Sequence, residues 1–180
     1  MVHRHWIVTS EALLCTVLLT GCFSAAPAAP QADSGLSEES AECLTPQEAE
    51  LMADQVLQLV NLERAERALP PVVAHSGLKV VAETYACRMI ESRFFGHSDA
   101  ETGDGPAERA IAGKYAFYAV GENLAAGQET PADVMKVWME SPAHREIILD
   151  PDWRDVGIAV RGGGEHSIYW VQEFGDPAAF

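Results

Sequence analysis

Residues 156–174 read VGIAVRGGGEHSIYWVQEF, and this stretch decides the fold. Two β-rich runs, 156–161 and 167–174, flank Gly162-Gly163-Gly164-Glu165-His166, which marks a hairpin with a loop longer than a two-residue turn. Before Asp150-Pro151 the apolar residues recur at helical spacing instead. Thr45-Pro46-Gln47-Glu48 is a helix start, with Thr45 as cap, Pro46 at the first helical position and Glu48 completing a capping box. That helix carries Met52, Val56, Leu59 and Val60 on one face and closes before Pro70-Pro71. A second begins after Ser76, turns Leu78, Val81, Ala82, Tyr85, Met89 and Ile90 inward, and stops near Phe95-Gly96. PAERAIA (106–112) is a short third helix ended by Gly113. Thr130-Pro131 opens a fourth, with Val134, Val137 and Trp138 inward. Pro142 interrupts it, and Ser141 caps a short turn holding His144 and Arg145. YAFYAV (115–120) is a further strand. Helices first and a hairpin last define an α+β domain, with helices covering an antiparallel sheet.

The ends of the chain speak of export. Arg4 with His3 and His5 precedes a short apolar run, ALLCTVLLT (12–20), too brief for a bilayer, which needs about 20 apolar residues. The run suits a secretory signal and ends in Leu19-Thr20-Gly21-Cys22, which resembles a bacterial lipobox. The reading is a signal peptide over 1–21, a Pro-, Ala- and Ser-rich tether over 22–42 and a folded domain over 43–180. The expected destination is the outer membrane or cell surface, with free secretion after cleavage near Ala25-Ala26 or Ala28-Ala29 as the alternative. Cys15 lies in the signal and Cys22 would carry lipid, which leaves Cys43 and Cys87 as an even pair for a disulfide. Such a bridge is worth about 3 to 4 kcal/mol by loop entropy. Twelve basic against 27 acidic residues, a net charge of −15, argue against nucleic acid, whose phosphates need clustered Lys and Arg.

Five phrases in order, His97 in FFGHSD, then GENLAAG, VWMESPAHREIIL, VGIAV and YWVQEFG, resemble the CAP superfamily. Its namesakes are cysteine-rich secretory proteins, venom antigens and plant pathogenesis-related proteins, and the SPAHREIIL phrase is similar to its bacterial SCP-like branch. The resemblance spans about residues 56–175. It implies an α-β-α sandwich with helices on both sides of a small antiparallel sheet, and a cleft holding two histidines and two acids. Carried over residue by residue, these are His97, Glu122 of the GENL phrase and His144 of the SPAHR phrase. Glu140 is the candidate second acid, although it stands two residues after Trp138 where eukaryotic relatives place it three after. The GENL turn is expected to bring Glu122 to the end of the YAFYAV strand.

Two imidazoles and a carboxylate support three chemistries. His97, His144 and Glu122 could ligate a divalent metal such as Zn, which accepts His₂Glu plus water. Glu122 could activate water as a general base. The imidazoles could instead donate to a buried carboxylate and only tie helices to sheet. There is no HExxH and no GxSxG, so no catalytic residue is assigned and the reading leans away from an enzyme. The superfamily's reported roles imply a binding module for a small ligand, a lipid or an extracellular protein, with a metal-assisted hydrolase as the alternative. Trp138, Trp153 and Trp170 read as packing. Asp150, Asp152 and Asp155 read as a solvated turn, since a calcium loop's spacing is absent. Mass spectrometry of the exported protein should find Cys22 as a lipidated first residue; an unmodified terminus farther along would refute the anchor.

Overall fold

The computed structural model describes residues 41–178; the expected signal peptide and nearly all of the expected tether lie outside the described residues. The hairpin strands β3 (Asp155–Gly162) and β4 (Ile168–Pro177) form the centre of the sheet, paired antiparallel from Asp155↔Gly175 to Gly162↔Ile168. Around them the chain runs α1 (Ala49–Ala65), β1 (Val73–Ala74), α2 (Ser76–Glu91), α3 (Pro106–Ala112), β2 (Phe117–Ala126), α4 (Pro131–Glu140) and α5 (Pro142–Ile148). The strand order is β1-β3-β4-β2. The antiparallel expectation holds for three strands, while β1 adds a two-residue parallel edge beside β3.

Both faces of this sheet are buried, which is why its strands read as nearly unbroken apolar runs. Side chains alternate along a strand. Val156, Ile158, Val160, Trp170 and Phe174 pack with Val56 and Val60 of α1, Val134 and Trp138 of α4 and Ile148 of α5. Ala159, Tyr169, Val171 and Leu124 point the other way, onto Ala82, Tyr85, Ala86, Met89 and Ile90 of α2. Trp138, Trp153 and Trp170 fill this core, and each indole N–H donates to a backbone carbonyl of a neighbouring element or loop. Trp138 Nε1 donates to the Leu124 carbonyl at 3.1 Å, Trp153 to Ile147 at 2.8 Å and Trp170 to Gln128 at 2.8 Å.

Three boundaries, and some caps and side-chain directions, differ from the sequence reading. The first helix starts at Ala49, not after Thr45, and Glu48 caps it without a side-chain bond. Leu44 exchanges two 2.8 Å backbone bonds with Gly162, and Cys43 is bridged to Cys87, so this segment is held against the sheet before the helix begins. The second helix ends at Glu91, where Arg93 turns to a positive φ of 53°. His75 caps its start, with Nδ1 accepting the Leu78 N–H at 3.3 Å. Strand β2 continues through GENLAA to Ala126, because Gly121 serves close approach rather than a turn: a Cβ there would lie 2.9 Å from the Trp153 ring. α4 opens at Thr130-Pro131 as expected, with Thr130 accepting the Asp133 N–H, but Met135 is buried and Val137, expected inward, is 40% exposed. Ser141 precedes α5 without a side-chain cap bond.

Arg64 joins the layers. Its guanidinium is wholly buried and donates to the carbonyls of Pro70, Ile148 and Asp150, each at 2.8 Å. Burial lowers its pKa and the Asp150 carboxylate opposes that shift. It satisfies carbonyls at the end of α5 that the helix itself cannot.

Gly157 fixes how closely α2 lies on β3. A Cβ at that position would sit 2.1 Å from the Leu78 carbonyl carbon and 2.3 Å from the Lys79 nitrogen, both backbone atoms that cannot rotate away. Gly157→Ala should therefore destabilise the fold by about 1 to 3 kcal/mol, the usual range for overpacking. Urea denaturation checks this, and an unchanged midpoint would contradict it.

Candidate functional site at the sheet edge

The site begins with a loop that the sequence does not mark as ordered. After α2 the chain runs through Gly96 and His97 to Asp99, whose carboxylate organises the turn. Asp99 Oδ1 accepts the N–H groups of Glu101 and Thr102 at 2.9 and 3.0 Å. Its two oxygens also take the Arg88 guanidinium at 2.7 and 3.1 Å. The Arg88 bonds, then the backbone donors, hold the Asp99 carboxyl well below the usual carboxylate range. This turn presents His97, whose side chain is 55% exposed, toward β2.

Glu122 is buried, and both of its oxygens are engaged. His97 Nδ1 lies 2.8 Å from Oε1, and Arg109 Nη2 donates to Oε2 at 2.6 Å. Arg109 comes from α3 and is held on several sides. Its Nη1 donates to the carbonyls of His97 at 3.1 Å and Asp104 at 2.8 Å, and its guanidinium carbon lies 3.3 Å from the centre of the Tyr85 ring. Burial, partly opposed by Arg109, pushes the Tyr85 phenol up to about 12.

Directly opposite Glu122, in the register of β2 and β4, stands Glu173. It is buried, and Arg109 Nη2 is 3.8 Å from its Oε1. Burial, reinforced by the Glu122 charge, raises the Glu173 pKa well above the carboxylate range. Glu173 is thus the second acid of this cleft. Glu140 is not: its side chain is 67% exposed and 4.0 Å from Lys136 one turn away. The carry-over followed the spacing from Trp138, whereas Glu173 enters through strand pairing. Its one sequence signal is an acid amid the apolar residues of IYWVQEF.

His144 lies on α5, half-buried, with its carbonyl accepting from Asn123 Nδ2 at 3.2 Å. Asn123 points to the opposite face from Glu122, so this bond ties the α5 backbone to the edge strand; the His144 imidazole Nδ1 is itself buried without a hydrogen-bond partner among the described residues and lies near enough to His97 to feel its charge. Burial, then the His97 charge, lowers the His144 pKa. Arg145 donates to the Met139 carbonyl at 3.3 Å, and Asp150 accepts the Asp152 N–H at 2.9 Å, both local turn contacts.

The implied zinc set fits this arrangement poorly. A metal would need Glu122 oxygens that already accept from His97 and Arg109. Among the described residues no three His, Cys, Asp or Glu side chains are grouped to hold a metal ion.

Residues 57–174 match the cysteine-rich secretory protein family, CAP, and the chain belongs to that family. It is 32% identical over 120 residues to the uncharacterized protein YkwD of Bacillus subtilis (strain 168), covering 67% of this chain and 45% of that protein. The chain thus spans less than half the length of that curated relative. An extracellular SCP-domain protein of Bacillus anthracis str. Ames superposes with a TM-score of 0.65 at 25% identity, over 73% of this chain and 44% of that one. An outer surface protein of Borrelia burgdorferi gives 0.63 at 25% identity, over 69% of this chain and 92% of that one.

The hydrogen bond to Glu122 raises the His97 pKa, against the smaller lowering by burial. A base with a raised folded-state pKa adds stability that is complete below the ordinary imidazole value near 6.5 and vanishes as pH rises through the higher folded value. The stability difference between wild type and His97→Gln should therefore be largest at acid pH and shrink as pH rises. A difference that grew with pH would contradict this.

Proposed function

We propose that this protein is an exported binding module, held to a membrane by lipid on Cys22, which meets a small ligand or an extracellular partner at the sheet edge around His97, Glu122 and His144. The likeness to an extracellular SCP-domain protein and to an outer surface protein supports export, as does LTGC at the end of a short apolar run. The observation that carries binding over hydrolysis is the commitment of Glu122. A general base needs a carboxylate oxygen free to take a proton from water, and here one oxygen faces His97 while the other accepts from Arg109. His97 remains over half exposed, so its imidazole can meet a ligand while its Nδ1 stays fixed.

The test is an activity screen against ester, peptide and phosphoester substrates, with and without chelator, beside metal analysis of the purified protein. No chelator-sensitive turnover is expected. Turnover lost both on chelation and in Glu122→Gln would overturn the reading in favour of a metal-assisted hydrolase.

A further inference from the structure

The sheet is left unfinished along the outer edge of β3. Strand β1 pairs with it only at Val73↔Asp155 and Ala74↔Val156, and Leu44 takes the far end at Gly162, so positions 157–161 have no neighbouring strand on that side. The cause is local. The Val73 N–H donates to the Arg154 carbonyl at 2.8 Å and the His75 N–H to the Val156 carbonyl at 2.9 Å. The next rung of a parallel ladder would join the Ile158 N–H to the His75 carbonyl. That carbonyl instead accepts the Lys79 N–H at 2.9 Å and starts α2. Gly162 gives both of its backbone groups to Leu44, so alternation along β3 turns those of Val160 and Ile158 to the same outer side, away from β4. The Val160 carbonyl is met by the Arg161 guanidinium at 2.9 Å. The Ile158 N–H, the Ile158 carbonyl and the Val160 N–H have no partner among the described residues, yet Ile158 is 6% and Val160 1% exposed. Unpaired backbone groups at that depth cost free energy.

Ile158 also lines a cavity of about 240 Å³ between α1 and α2, with Ala53 and Leu57 of α1 and Ala74 at the end of β1 as apolar wall. Glu50 of α1 and Lys79 of α2 line the same cavity and are ion-paired to each other. The three unmet groups run donor, acceptor, donor along one edge at the strand repeat. A peptide backbone returns acceptor, donor, acceptor at that spacing. We propose that this gap is a docking site for a short extended peptide segment of an extracellular partner, which adds about three residues beside Ile158 and Val160 in the line of β1. The apolar wall selects small apolar side chains. On the other side α2 lies so close to β3 that Gly157 has no room for a Cβ, which keeps side chains pointing that way small as well. The net charge of −15 disfavours an acidic segment. With β4 between β3 and β2, this site is separate from the edge that carries Glu122, and the inference does not rest on the role proposed for that edge.

The experiment follows the ¹⁵N-labelled full chain by NMR while the blocked peptide acetyl-Ala-Val-Ala-Val-Ala-amide is added. The peptide should bind saturably, one per chain, shifting the Ile158 and Val160 amide signals and slowing their exchange with solvent. The same peptide methylated on every backbone nitrogen has no donor for the Ile158 carbonyl. It should bind at least about 10-fold more weakly, the effect of one lost hydrogen bond. Ala53→Trp, which fills the cavity from α1, should weaken the unmethylated peptide by a similar factor; if that variant does not fold, the methylated peptide on wild type decides. No binding, equal binding of the methylated peptide, or shifts confined to residues away from β3 would each overturn the inference. So would Ile158 and Val160 amides as strongly protected from exchange as those of Ala159 and Arg161 in the free chain, since a part of this chain would then already fill the gap.

Discussion

Two carboxyl groups facing each other across adjacent buried strands cost free energy, and the cleft is organised around how Arg109 offsets that cost. The register of β2 on β4 is set by apolar residues elsewhere on the strands, since a slip of one residue would turn Leu124 and Val171 off the α2 face. Glu122 and Glu173 are therefore not free to separate. Arg109 answers from α3, and the same guanidinium fixes the His97 and Asp104 carbonyls. One cation thus sets the place of α3, the loop that carries His97 and the charge state of the sheet edge. Only a planar, multi-donor group can stack on Tyr85 and make all these bonds together.

The frame that presents this edge depends on a second buried arginine. Arg64 reaches from the last turn of α1 to carbonyls at the end of α5 and in the turn before β3. It braces the layer on one face while the Cys43–Cys87 bridge fastens the start of the domain to α2 on the other. Strand β2, at the edge of the sheet, is left between the two layers, where a loop from one side and a helix from the other both approach it.

The two imidazoles differ because of this placement. His97 is largely solvated and bonded to a carboxylate, so its charged form is favoured; His144 is desolvated beside it, and its neutral form is favoured. At neutral pH the edge combines a hydrogen-bonded imidazole open to solvent with a neutral, half-buried one near it. Such an asymmetric pair suits recognition of a polar ligand more directly than symmetric ligation of a metal.

The sequence by itself determined the elements whose causes are local. The glycine-rich hairpin, the Thr130-Pro131 start of α4, the Pro106 start of α3 and the Cys43–Cys87 pairing follow from backbone preference, capping and the count of cysteines. Motif order brought His97 and Glu122 into view. Tertiary structure alone decided that Gly121 continues a strand against Trp153, that Glu140 faces solvent and that Glu173 stands opposite Glu122. It also decided that Arg109 and Arg64, each ordinary on an amphipathic helix, are the two cations on which the packing turns. The physical reason is range. Capping and turn chemistry act within a few residues, whereas a charge is paired or buried by whatever the register brings beside it, and that partner is named only when the strands have met.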